Sequence, residues 1–223
     1  VANLANFINR VVVLTNKYYD GKVPAFDEDA SFTGSSGDDS EFYDSEMLSL
    51  HDELQELCQS IRTFDFRSGL KSLMDISTKG NQNLQFNEPW KTIKDDPESV
   101  KVVINLCLQY VAAIGVICRP FMPFTSDKIR VLLNQKAIEE KGELEKMLNK
   151  LAEGEPILKK GHKIGEPLHL FTRIDDAIIQ QQIDKLNSTD QNNQMSAQED
   201  TSTTPTQPVK SEINYEDFTK MDI

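Results

Sequence analysis

Residues 99–118, SVKVVINLCLQYVAAIGVIC, carry a single charge, Lys101, and are apolar on nearly every side of a helix. A helix with one apolar stripe can lie on a surface, but one that is apolar all round needs neighbours on every side. That requirement places this segment at the centre of a helical bundle, with Pro97 and Glu98 opening it. Its longest unbroken apolar run, Val111 to Cys118, includes Gly115 and falls far short of the roughly 20 residues of a bilayer span.

The segments around it carry the one-sided patterns that such a centre needs. Leu4, Phe7, Ile8, Val11, Val12 and Thr15 recur at three- and four-residue steps over residues 1–19, and Asp20-Gly21 supplies the stop. The opposite face of this opening helix shows Asn6, Arg10 and Lys17. Met47, Leu50, Leu54, Leu57, Cys58 and Ile61 trace a second helix, with Ser45 as its N-cap. A break near Thr63-Phe64 leads to a third, with Leu70, Leu73, Met74 and Leu84 inward, interrupted at Pro89-Trp90. After Pro120 and Pro123, Thr125 caps a helix through Leu133. Residues 134–153 are charged and weakly periodic. GHKIGEPLHLFTRID then reads as an irregular wrap that tucks Leu168, Leu170 and Phe171 onto the body, and Ile178 to Leu186 continue a helix. The expected fold is all-α: a helical bundle over residues 1–180, then a disordered linker over 187–210, where QQ, NN and TST runs offer little to bury.

Charge is distributed unevenly. The chain has 223 residues and a formal charge of -12. Residues 25–48 contain eight acids and no base, and residues 184–223 eight acids and three bases, so the body is nearly neutral. The acidity belongs to a loop over 27–44 and to the tail, and it leaves a nucleic-acid partner open. GSSG within that loop is no phosphate cradle, because no strand precedes it and acids surround it. Three cysteines make no disulfide framework and suit a reducing cytoplasm; no secretory leader or membrane span is expected. The chain opens in mid-pattern without Met and reads as part of a longer protein.

Side chains for catalysis are sparse. His51 lies beside Asp52 on a polar face, and His162 and His169 sit in the irregular segment, none with a nucleophile or metal-ligand spacing. Cys107 and Cys118, eleven residues apart on one helix, stand about 16 Å apart by helical rise and read as core. Binding residues are more visible. Asn6 and Arg10, four apart, project side by side and can together bond the edge of an unstacked base, although on spacing alone a solvated helix face is the stronger reading. Trp90, the single tryptophan, is equally a core aromatic or a stacking platform stiffened by Pro89.

Together, NLANFINRVVVLTNKYYDGKVP, NEPWKTIKDDP, RPFMPFTSDKIRVLL and GHKIGEPLHLFTRID resemble, in order and spacing, the anticodon-binding helical domain of the methionyl-tRNA synthetase family, which is class I. The resemblance covers residues 1 to about 176. It implies that Asn6, Arg10 and Trp90 read a CAU anticodon, Trp90 stacking on the cytosine while Arg10 and Asn6 bond bases that have left the stack. Pro89, Lys17 and Lys91 are expected as supporting contacts. The family's HIGH-like and KMSKS-like motifs and its zinc-bearing segment are not in this chain, so ATP with magnesium, zinc and methionine activation are expected of a separate catalytic domain. No cofactor is expected in residues 1–223 themselves. EINYEDFTKMDI resembles the opening of an OB-fold tRNA-binding domain over 211–223, through which the longer protein would form a homodimer. The implied partners are methionine-specific tRNA and the protein's own catalytic domain. The alternatives are a helical interaction scaffold without RNA, or the matching domain of a sister class I synthetase.

Overall fold

The computed structural model describes residues 2–25, 39–136, 142–153, 155–171 and 175–199. Its eight helices among these residues are α1 Ala2–Tyr19, α2 Asp39–Arg62, α3 Phe66–Asn87, α4 Pro89–Thr92, α5 Pro97–Ile117, α6 Pro123–Leu132, α7 Glu143–Ala152 and α8 Asp176–Glu199. The chain forms two units, residues 1–172 with α1 to α7 and residues 173–223 with α8.

The first unit is an all-α bundle built around α5, as its apolar circumference demands. Val100 and every residue from Val102 to Ile117 are buried, and α1, α2, α3, α4, α6 and α7 all pack on this helix. With 21 residues and a mean hydropathy of 2.0, α5 is long and apolar enough to cross a membrane, which its unbroken run understated. Yet 94% of that window is covered by its neighbours, as befits a bundle centre.

Two amides inside α5 fix the loops that cross it. The Asn105 side chain donates to the Pro24 carbonyl (2.8 Å) and accepts from the Tyr43 hydroxyl (3.1 Å) and from Gln109 (2.9 Å). Gln109 also accepts from the Leu158 N–H (2.9 Å) and donates to its carbonyl (3.1 Å). The wrap is pinned further where Val23 N–H donates to the His162 carbonyl and Ile164 N–H to Gly21 (2.9 and 2.7 Å). Leu158, Ile164 and Leu170 are buried and Leu168 and Phe171 lie against the core, as the sequence suggests. The stop after α1 is also as expected, with Asp20 and Gly21 both at positive φ (51° and 66°).

α1 and α3 lie side by side in the same direction: Asn3 meets Thr78 and Asn81, and Arg10 meets Asn81 and Gln85. Gly80 permits this approach, since a Cβ there would stand 2.4 Å from the Phe7 ring.

Several expected boundaries move. Residues 39–44 belong to α2, so Ser45 lies inside the helix and caps nothing; burying Tyr43 against Asn105 extends α2 towards its N-terminus. The rest of the acidic loop, 26–38, lies outside the described residues. Met122, without a side-chain bond, precedes α6, and Pro123 rather than Thr125 starts it. Leu70 is 42% exposed, not inward. The charged stretch 143–152 is a helix whose Met147, Leu148 and Leu151 are buried. α8 continues through Glu199 into the polar stretch read as the start of the linker, with no Gly or Pro in residues 176–199. The linker beyond 199 and the OB-like start at 211–223 lie outside the described residues.

Two stability tests follow from these contacts. Gly80→Ala should lose about 1–3 kcal/mol through overpacking on Phe7, outweighing the roughly 1 kcal/mol an alanine gains in a helix, as read by urea unfolding. A stabilised variant would contradict the close approach. Gln109→Leu orphans both backbone groups of Leu158, so it should cost about 2–4 kcal/mol and speed proteolysis within 155–171. Unchanged cleavage would show that the wrap is held otherwise.

Candidate nucleic-acid interface

The polar stripe of α1 sits opposite its buried one. Leu4, Phe7, Ile8 and Val11 face the core, which leaves Asn3, Asn6 and Arg10 on the outer side at three- and four-residue steps. Because Gly80 brings α3 close, its neighbour Asn81 and the next-turn Gln85 reach the Arg10 guanidinium. Nη1 donates to Asn81 Oδ1 (2.8 Å) and Nη2 to Gln85 Oε1 (3.2 Å). Asn81 in turn donates to Asn3 (3.2 Å), and Asn3 to Thr78 (2.8 Å). Both acceptors of Arg10 are neutral amides, so no ion pair among the described residues cancels its charge.

Trp90 enters through a tight turn. Glu88 ends α3 in a left-handed conformation (φ 40°, ψ 55°), a strained geometry for a residue with a side chain. Pro89 then starts α4, buried, and the Thr92 hydroxyl donates to the Asn87 carbonyl (3.0 Å), closing the turn over itself. This places the half-buried Trp90 ring 4.9 Å from the Arg10 guanidinium carbon, a cation–π contact. Arg10 of α1 is therefore fixed by two amides from α3 and one indole from α4.

The sequence candidates separate into two groups. Arg10, Trp90 and Pro89 come together. Asn6 is exposed on the same stripe, one turn before Arg10. Lys17 lies two turns beyond Arg10, about 10 Å along the axis, with its ammonium 5.2 Å from the Tyr18 ring. Lys91 is exposed but paired with Glu88 (2.8 Å), which reduces its value to an incoming anion. Asn3, Asn81, Gln85 and the Glu88 turn were not visible in the sequence. Their only signal is the Gly80-Asn81 step and the four-residue spacing to Gln85, and it acquires meaning once α1 is known to lie there.

Other reactive groups do not assemble. Burial pushes the Cys107 thiol to about 12 and Cys118 to about 11, so both are protonated core residues. The His51 ring meets Asp52 at 3.3 Å, and His162 bonds the Leu133 carbonyl at 2.6 Å. Among the described residues no group of three His, Cys, Asp or Glu is placed to hold a metal ion. A cavity of about 330 Å³ lies between α5, α6 and α7, lined by Arg130, Lys136, Lys146 and Lys150, away from Trp90.

Residues 34–191 match the model of a family described as the anticodon binding domain of methionyl tRNA ligase. A methionine–tRNA ligase of Flavobacterium johnsoniae is 38% identical across the whole of this chain, and one of Bacteroides fragilis 34%. The chain spans 32% and 29% of their lengths. Among solved structures, free Mycobacterium tuberculosis methionyl-tRNA synthetase superposes with a TM-score of 0.61 over 78% of this chain and 32% of its own, at 20% identity. Its complex with methionyl-adenylate superposes at 0.56 over 77% and 31%, also at 20% identity, and both likenesses show a shared fold. With the bundle, the spacing of its helices and the family match in agreement, the chain belongs to the anticodon-binding domain family of the methionyl-tRNA ligases.

Proposed function

We propose that this chain binds the anticodon loop of a methionine-specific tRNA and reads the triplet CAU. The observation that carries the reading is the Arg10 guanidinium laid over Trp90 and held by Asn81 and Gln85, with Asn6 exposed one turn before it on α1. Single-stranded RNA is read by splaying bases, stacking them on aromatic rings and bonding their edges, and this arrangement supplies both kinds of group. A base arriving on the indole trades the cation–π contact for stacking. The guanidinium, already swung to that side of α1, then donates to the edge of a neighbouring base, with Asn6 offering both a donor and an acceptor. Lys17, Lys22 and Lys94 attract the phosphates, against the repulsion of the acids in residues 25–48.

Methionine activation with ATP and magnesium, and its transfer to the tRNA, belong in this proposal to the part of the longer protein outside these residues, as does any zinc. That catalytic part is a partner of the bundle, and the tail tethers an OB-fold module that raises effective concentration on tRNA and pairs two copies. Buried, protonated cysteines suit a cytoplasmic enzyme.

Fluorescence of the single tryptophan tests the reading directly. Titration with a stem-loop bearing CAU should quench Trp90, and replacing the first anticodon base should abolish that quenching. Trp90→Ala should weaken binding by about 1–3 kcal/mol, and Arg10→Gln should do so by a similar amount. Equal response to any loop, or none, would leave an interaction scaffold. Binding should also weaken with salt, with a log–log slope of about -2, since few phosphates are contacted; a slope near zero would argue against RNA.

A further inference from the structure

Phe86 is the most exposed large apolar side chain among the described residues, at 89%. It occupies the last turn of α3, directly after Gln85, which holds Arg10, and four residues before Trp90. Helix geometry sets its direction. Lys79, Asn83 and Phe86 share one stripe of α3, and the first two reach Glu46 of α2 (3.7 and 2.8 Å). Lys79 also meets Glu53 (3.0 Å), whereas Asn83, further along α3, meets only the earlier Glu46, so α2 and α3 are antiparallel. Phe86 therefore lies level with the opening turns of α2, at the end of the bundle where Trp90 emerges, and α2 leaves its ring uncovered.

An uncovered phenyl ring on the final turn of a long helix gives no stability to the fold, while Leu84, two residues earlier, is wholly buried. The same end of the bundle carries groups with which proteins hold single-stranded RNA: an unneutralised guanidinium, the exposed Asn6 and an indole. Four residues span at most about 14 Å between α-carbons, a distance that a splayed loop covers in a few nucleotides.

We propose that Phe86 is a second stacking platform, taking another unstacked base of the RNA loop whose neighbour rests on Trp90. The inference rests on the anticodon-loop reading above. Ring stacking accepts any base, so Phe86 adds affinity without changing which triplet is preferred. The edge-bonding groups Asn6 and Arg10 retain the discrimination.

The experiment uses the 223-residue chain and CAU stem-loops with 2-aminopurine placed in turn at each loop position outside the triplet. One position should be quenched on binding to the native chain. Phe86→Ala should remove that quenching and weaken binding about tenfold, while Trp90 quenching by the first anticodon base persists at saturation. Phe86→Tyr should restore both. So exposed a ring can be removed without unfolding, and an unchanged melting temperature confirms it. Native-like affinity and native-like 2-aminopurine quenching in Phe86→Ala would overturn the inference, as would Trp90-dependent binding that ignores Phe86; in both cases the anticodon-loop reading stands. Failure of the native chain to bind any loop would overturn both, and would leave the exposed ring as a contact for a protein.

Discussion

Seventeen of the 21 residues of α5 are buried, so it has no side left for water and each helix of the bundle is placed by the part of α5 it covers. Apolar packing alone would allow those helices to slide, because Leu, Ile and Val surfaces fit one another in many registers. Asn105 and Gln109 remove that freedom. Each is a buried amide that must find partners or cost the fold its desolvation, and the partners available are the Pro24 carbonyl on one side and both backbone groups of Leu158 on the other. The loop leaving α1 and the segment leaving α7 thus cross α5 at one place only. Positions far apart in sequence are thereby held to within hydrogen-bond tolerance.

The candidate site inherits that precision. α1 is fixed at its C-terminal end by the left-handed Asp20-Gly21 stop and the backbone bonds beyond it, and along its length by the close approach at Gly80. Only with both in place do Asn81 and Gln85 arrive under Arg10. A free arginine side chain would have to be ordered on binding, at the cost of its rotamer entropy. Here much of that ordering is done by folding, and the αL Glu88 turn does the same for Trp90. Strain at Glu88 is tolerated because Pro89 is buried on one side and Thr92 bonds back across the turn on the other.

What the sequence made legible was whatever depends on the chain's own pattern. The fully apolar circumference of α5, the stripe of α1, the Asp20-Gly21 stop and the break at Pro89 are local signals and lie where they were expected. The misreadings at α2 and α7 concern tertiary choices. α2 starts earlier because Tyr43 finds Asn105, and α7 folds because Met147, Leu148 and Leu151 find a surface to cover, although the charges between them dilute the period. At the candidate site, Arg10 and Trp90 stood out by residue type and by likeness to a family. Asn81 and Gln85 did not, since an amide on a helix face gives no sign of its partner until the neighbouring helix is in place.

A formal charge of -12 opposes a polyanionic partner, so the charges nearest the candidate site matter most to the proposed binding. At physiological salt, exposed charges beyond about 8 Å are largely screened, so the groups nearest Arg10 and Trp90 weigh most on the field there. Close by, the partners of Arg10 decide the sign. Had α3 offered carboxylates at 81 and 85, the guanidinium would be held more tightly and its charge cancelled. Neutral amides hold its geometry and leave its charge uncancelled. The same logic separates the two lysines beside the site: Lys91 answers to Glu88, while Lys17, resting on the Tyr18 ring, keeps a positive potential along the stripe that leads to Arg10.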